Sequence, residues 1–330
     1  MSSTATASRK STHPLAPYVA LILAVLGGST AAILIRLAQD EGVPSLLVAL
    51  GRMGLSSLLM APFALRHMDA IRKLQRRHVL LMLIAGFWLA VHFTGYITAL
   101  EYTSVLMAQV LVLASPLWVA ALEFLFLKQK PNTWIGVGML LAIGGGIVIA
   151  IGGGDGGTSS GDNPLLGAAL ASLGAFSVAF YLIIGRQVRN RLPLIPYVSL
   201  VYGCGAFFTA IFIALSGTQV TGYSAEGYFW VFMVMLFPQM IGHNGINYAL
   251  RFFAATYVSI AQQLIAVFAA LLAYIIFGEI PTWLQITGSA VLLTGVIVAS
   301  LGEQKQSESE TESEAKPKQE PVYPVSENPR

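Results

Sequence analysis

Two histidines, His92 and His243, stand inside long apolar stretches, each with polar or aromatic companions one helical turn away. Trp88, His92 and Tyr96 fall at i, i+4 and i+8, and so do Gln239, His243 and Asn247, displaced by 151 residues. Helical spacing puts each trio on one face, with Asn244 beside the second. Imidazoles, amides and a phenol exchange hydrogen bonds with a solute, and an imidazole titrates near neutral pH when unperturbed. Two histidines from separate helices make a weak metal signal. Within the apolar runs the sequence has neither paired carboxylates nor a Gly-x-Ser-x-Gly turn. Noncovalent recognition of a small solute is therefore expected, with no metal and no cofactor. His92, His243 and Glu123 are the candidates for carrying a proton.

The surroundings of these groups sharpen the point. An interhelical hydrogen bond in a membrane contributes only about 0.6 kcal/mol, whereas an unsatisfied polar group in hydrocarbon costs several kcal/mol. Stability is a poor reason to keep two polar faces, so they are read as walls of a shared watery cavity. Arg52 lies about two turns into its helix and is placed to hold a carboxylate or to pair with another side chain. Gln109, Gln262 and Gln263 are further candidate donors and acceptors for the solute. Arg36, near a helix end, is expected to snorkel. Glu123 stands close enough to Lys128 to pair with it at the membrane boundary.

The chain that must position these residues is 55% hydrophobic and 11% charged over 330 residues, against about 25% charged in soluble domains. Apolar runs long enough to cross a bilayer as helices recur at about 15–37, 45–66, 79–100, 104–127, 133–152, 165–186, 196–216, 228–250, 255–277 and 284–301. The fold class is all-α, a polytopic membrane protein of ten helices. The first apolar run is too long for a signal peptide and is read as a retained helix. Net charge is +3 with the basic residues dispersed in loops, which argues against a nucleic-acid partner. The single cysteine, Cys204, excludes an internal disulfide and reads as a small packed residue.

With the N-terminus placed in the cytoplasm, Arg66, Arg72, Lys73, Arg76, Arg77, Lys128, Lys130, Arg186, Arg189, Arg191 and Arg251 all fall on the inner side. The opposite connections carry only acids: Asp40, Glu41, Glu101, Asp155, Asp162, Glu226 and Glu279. This asymmetry predicts a multi-pass protein of the cell (inner) membrane with both termini cytoplasmic. Residues 1–14 read as a cytoplasmic segment, 153–164 as a flexible glycine-rich external loop, and 302–330 as a disordered cytoplasmic tail.

The sequence also repeats itself at an offset of 150. Leu50 matches Leu200, Gly95 matches Gly245, Pro131 matches Pro281, Gly138 matches Gly288 and Gly145 matches Gly295. Each half, 15–152 and 165–301, holds five runs, so the second copy must enter the membrane upside down. Inverted repeats of this kind typify secondary transporters with a site near the bilayer midplane. Stripes of small residues, Gly167-Ala171-Ala175-Ala179 and Gly138-Ala142-Gly146, predict close helix contacts.

The stretches LEYTSVLMAQVLVLASPLWVAALEFLFL (100–127) and ALRFFAATYVSIAQQLIAVFAALLAYIIFGEIPTWLQITG (249–288) resemble the EamA-type family of the drug/metabolite transporter superfamily. That resemblance covers nearly all of 21–301. It implies a secondary transporter exporting amino acids or related metabolites, with a central cavity built mainly by helices 3, 4, 8 and 9 and partly by 1 and 6. His92 with Tyr96 looks like the polar cavity pair of such exporters. The second half carries Gly278-Glu279 at the turn after helix 9, as the family does, but the first half has Lys128-Gln129 there. The competing readings are efflux of aromatic cations through cation-π contacts, an intramembrane enzyme, and a channel or solute sensor.

Overall fold

The computed structural model describes residues 15–127, 132–152, 162–189, 191–249, 252–253 and 255–315. The expectations for residues 1–14, for Lys128-Gln129, for the glycine-rich stretch up to 161, for Arg251 and for 316–330 lie outside them. Among the described residues there is no strand. Within the described residues nine helices are long and apolar enough to cross a bilayer, and a tenth, apolar over Thr133–Ile149, is shorter. We number the ten α1 (Ala16–Asp40), α2 (Ser45–Leu65), α3 (Arg76–Tyr102), α4 (Val105–Leu113 continuing as Ser115–Leu127) and α5 (Thr133–Gly152). The second set is α6 (Pro164–Arg189), α7 (Leu194–Ser216), α8 (Ala225–Ala249), α9 (Ala255–Phe277) and α10 (Trp283–Ala315). A short helix, Met68–Arg72, bridges α2 and α3.

Three of the ten are interrupted. In α1 the break at Thr30 follows Gly27-Gly28, and the Ser29 and Thr30 hydroxyls donate to Val25 O and Gly27 O, both at 2.7 Å. Such back-bonding competes with the helical ladder. In α4 the break at Ala114 precedes Pro116, which lacks an N–H for the turn before it. In α8, Met235–His243 forms a π-helix around Pro238. A missing donor there favours the wider i to i+5 pattern, which concentrates at functional sites.

Packing follows the repeat. The largest helix pairings are α5 with α10, α3 with α6 and α2 with α7, with α8 lying along α1. Shifting by 150 residues turns the α3–α6 pair into α8–α1 and maps the other two pairs onto themselves. The contacts agree residue by residue: a Cβ on Gly95 would meet Leu170 O and Gly174, and one on Gly245 would meet Ala20 O and Ala24. Helices α5 and α10 run antiparallel, since Gly138 faces Gly295 and Ala299 while Gly145 faces Gly288 and Leu292. These two helices hold equivalent positions in the two sequence repeats and point in opposite directions.

The small-residue stripe of α6 does pack, with Ala171, Ala175 and Ala179 fully buried and Gly167 against Thr103. On α5 the close approach is made by Gly138, Ala142 and Gly145, not Gly146, whose nearest neighbours are leucine side chains at 3.8 Å. Cys204 is a packed residue, its Cβ filling the space above Gly86. Large apolar side chains such as Leu140, Leu215 and Ile275 face outward, as a lipid-facing surface requires.

One boundary differs from the sequence reading. The last helix runs on to Ala315, so 303–315 are helical where a disordered tail was expected. The run holds good helix formers and a Gln304 Nε2 to Glu308 Oε1 bond at 2.9 Å, one turn apart. A helix already nucleated in the bilayer extends without a fresh nucleation cost.

The α5–α10 crossing yields a direct test. A methyl on Gly138 would sit 2.5 Å from Ala299 N and Gly295 O, both backbone atoms that cannot step aside. Gly138→Ala should destabilise the protein by on the order of 1–3 kcal/mol, read as a lower unfolding midpoint in detergent. Gly136→Ala and Gly144→Ala, where nothing lies within 4 Å, should leave the midpoint unchanged or raised.

Candidate functional site

The interruptions of α1, α4 and α8 converge on one cavity of about 1060 Å³, at the upper end of small-molecule sites, which span about 300–1,000 Å³. Gly28 and Ala31 of α1, Leu113, Ser115 and Pro116 of α4, and Pro238 and Gly242 of α8 all line it. This is where irregular backbone at membrane depth is tolerated, since lipid cannot satisfy the freed groups but a wet cavity can. Helices α3, α6 and α9 contribute the rest of the central wall, as the resemblance implied, and α2 and α7 add Arg52 and Tyr197.

The cavity extends to one end of the bundle. Glu123 near the end of α4, Arg189 at the end of α6, and Glu303 and Glu308 beyond the apolar part of α10 line that mouth. It is the basic face, where Arg66, Arg72, Lys73, Arg76, Arg77 and Arg191 also lie in the connections. The far end, the acidic face, is closed by packed turns. There Ser45 Oγ donates to Glu101, Gln39 Nε2 donates to Ser45 Oγ at 2.8 Å and to Ile97 O at 2.9 Å, and Ser224 Oγ donates to Glu41 at 2.6 Å.

At the deep end of the cavity stands Arg52. Its residue is only 5% exposed, and its Nε donates to Gln239 Oε1 at 2.6 Å. The guanidinium lies over the Phe93 ring, 4.2 Å from the centroid. No carboxylate among the described residues comes within ion-pair distance of it. Around it His92 Nδ1 bonds Gly174 O at 2.8 Å, which fixes the ring on α6, and Tyr96 OH donates to Gln109 Oε1 at 2.5 Å, joining α3 to α4. Asn247 Nδ2 donates to His243 O at 3.0 Å.

The two histidines reach the cavity by different routes. Both line it, with Phe93 between them, its ring centroid 4.8 Å from that of His92 and 6.5 Å from that of His243. Yet the backbone repeat runs at 150, not 151, so His92 corresponds to Gly242 and Phe93 to His243. The matched trios are one residue out of register, and the histidines are neighbours without being repeat equivalents.

Of the candidate residues, the structure gathers Arg52, His92, Tyr96, Gln109, His243, Asn247, Gln262 and Glu123 around the cavity. Four others stand elsewhere. Trp88 stacks on Phe180, centroids 4.5 Å apart and planes 12° apart, within an aromatic group that includes Phe87 and Phe176. Its flat ring is better buried against rings than wetted. Gln239 is fully buried behind Arg52 and orients it instead of facing the solute. Asn244 accepts from Tyr202 OH at 3.4 Å, and Gln263 is buried off the cavity wall. The π-helical turn sets the faces of α8 apart from those of a regular helix, which is why the four polar residues of that stretch do not share one surface.

One arginine was misread from sequence. Arg36 does not snorkel: it pairs with Glu279 and donates through Nη2 to Leu100 O at 3.2 Å and to Thr103 O. Glu279, in the turn after helix 9, is accordingly buried at 6% exposure. The sequence signal for this pair was the Gly278-Glu279 turn itself, with Gly278 at φ +67, a left-handed conformation suited to glycine.

Comparison with known proteins fits this architecture. The EamA-like transporter family matches twice, over residues 15–151 and 165–301. An uncharacterized transporter of Bacillus subtilis (strain 168), YdfC, is 23% identical over 201 residues, which is 61% of this chain. The chain spans 64% of the length of that curated relative. A solved crystal structure superposes with a TM-score of 0.60, covering 88% of this chain and 98% of its own at 17% identity, and so shares the fold. With two family segments that together make up most of the chain, each holding five helices, the protein belongs to the EamA-like transporter family.

Proposed function

We propose that this is a secondary transporter of the cell membrane that exports small metabolites bearing a carboxylate, amino acids foremost, by alternating access through the central cavity. The basic face is cytoplasmic by the positive-inside rule, so the state described is open to the cytoplasm. Arg52 carries the reading. Taking a guanidinium out of water is costly, and an intramembrane charge without a counter-ion points to a cavity or a ligand. A planar fork of donors matches a carboxylate in geometry as well as in charge.

The wall around Arg52 suits the rest of an amino acid. Gln109, Asn247 and Gln262 offer neutral acceptors for an ammonium group, and Tyr96, Phe93 and the apolar flanks of α4 and α9 accommodate a side chain. Efflux of aromatic cations is the weaker reading. The same guanidinium repels a cation, it already covers the Phe93 ring, and Trp88 is committed to Phe180. Coupling to protons through His92, His243 or Glu123 and facilitated diffusion both remain compatible with this wall, and a pH gradient separates them.

The test is counterflow in proteoliposomes with labelled amino acids, amines and sugars, with and without a pH gradient. Amino acids should exchange and simple amines should not. Binding without flux would make the protein a sensor, and chemical conversion of a solute would make it an enzyme. Arg52→Gln should raise the concentration for half-maximal flux of carboxylate solutes about tenfold or more, as loss of a charge-assisted hydrogen bond implies. Equal losses for solutes without a carboxylate would make Arg52 structural. His92→Ala should lower flux more than protein abundance, because its contact with Gly174 O is one of many along the α3–α6 seam. Flux equal to wild type at equal protein would remove His92 from the site.

A further inference from the structure

The closed acidic end of the bundle is tied at one point by a buried ion pair. Gly278 turns the chain out of α9 in a left-handed conformation, and Glu279 N then bonds back to Ala273 O at 3.3 Å. The carboxylate of Glu279 has two partners: Oε1 meets Arg36 Nη1, and Oε2 accepts from Val105 N at 3.1 Å. Val105 is the first residue of α4, so the acid also meets the positive end of that helix. Arg36 spends its other nitrogen on the carbonyls of Leu100 and Thr103, at the end of α3. Its guanidinium also approaches the Phe277 ring, 5.9 Å from the centroid. Four elements are therefore joined through two side chains: α1, the α3–α4 turn, the start of α4 and the α9–α10 turn.

The position matters as much as the strength. Arg36 lies five residues beyond Ala31, a cavity-lining residue, which is about 7.5 Å along a helix. Helices α1, α4 and α9 are also cavity walls, two from the first repeat and one from the second. Any opening of the acidic end must draw α1 and α4 away from the α9–α10 turn, which separates Arg36 and Val105 N from Glu279. The pair is not duplicated by the repeat, whose counterparts of Arg36 and Glu279 are an arginine at 186 and a glutamine at 129. A carboxylate-guanidinium contact of this kind is strong when intact, and each partner is penalised when buried alone.

We propose that the Arg36–Glu279 pair, with the α4 N-terminus as third member, is the latch that holds the acidic face shut and so favours the state open at the basic face. The solute is not part of the latch. The proposal rests on the alternating-access reading, but it is tested by accessibility, which needs neither a known solute nor measured flux.

The experiment uses the full chain carrying Cys204→Ser and Ala31→Cys, in sealed vesicles of both orientations, labelled by a membrane-impermeant maleimide. With the latch intact, position 31 should react from the basic face and hardly from the acidic one. Glu279→Gln keeps size and one acceptor but removes the charge, and it should raise the acidic-face rate relative to the basic-face rate about tenfold. Arg36→Lys keeps the charge but loses the fork of donors, and it should move the ratio the same way by less. Equal labelling from both faces with the latch intact overturns the proposal, as does an unchanged ratio in either variant. If Glu279→Gln does not fold, Arg36→Lys and the intact-latch ratio decide. A drop in thermal stability with no change in ratio makes the pair structural only. A shifted ratio without solute exchange in counterflow leaves the latch standing and counts against transport.

Discussion

A backbone N–H or C=O inside hydrocarbon has no water to turn to, and this constraint organises the whole molecule. Seven of the ten membrane helices meet it by running through without a break. The other three break it at Thr30, Ala114 and Met235–His243, and all three place their loosened turns on the same cavity. The sequence determinants are few: Gly27-Gly28 with two hydroxyl residues, Pro116, and Pro238. Moved to a lipid-facing stretch, any of them would leave polar groups unsatisfied. Where they stand they widen a passage and expose main-chain atoms to it.

The second constraint is that lipid supplies no hydrophobic drive for helices to associate, so contact area has to come from close approach. That is visible where glycine meets backbone: Gly138 on Gly295, Gly145 on Gly288, Gly95 on Leu170 and Gly174, and Gly245 on Ala20 and Ala24. These contacts are related in pairs by the 150-residue shift, so one set of packing solutions serves both copies. The same seams leave the cavity wall to other residues, which is where the two copies diverge. Arg52 has Tyr202 as its counterpart at the same offset, and His92 has Gly242. Duplication preserved the seams while the lining became asymmetric, as expected if the lining answers to an asymmetric solute and the seams answer only to packing.

How much of this was legible from sequence depended on the range of the interaction. Helix number, the repeat and its glycine seams were readable, since each is a periodicity or an offset along the chain. The candidate site was readable in part. His92, Tyr96, His243 and Asn247 followed from helical spacing, and Arg52, Gln109 and Gln262 from polarity at depth. Trp88 misled because an aromatic ring satisfies a cavity face and a helix seam equally well, and only its neighbour Phe180, on a helix far along the chain, tells the two apart. Arg36 misled for a related reason. Its partner is 243 residues away, and local position near a helix end says snorkel unless the partner is known. The register slip between the two trios was legible along the chain, since Gly95 and Gly245 set the offset at 150, one short of the 151 that separates the trios.

The two buried arginines can be compared directly, and the comparison separates their roles. Arg36 has a carboxylate and two backbone carbonyls, a set that satisfies its charge within the protein. Arg52 has one amide oxygen and the face of a ring. A cation-π contact adds roughly 0.5–2 kcal/mol and one hydrogen bond to a charged group about 1.5–3 kcal/mol, against several kcal/mol for desolvating the ion. Packing alone therefore gives Arg52 fewer partners than Arg36 has, and under the proposed function its remaining donors are the ones a carboxylate would meet in the cavity. A charge that is satisfied in the resting protein suits a contact that must hold until the bundle rearranges. One that is left incomplete suits a place where ligands come and go.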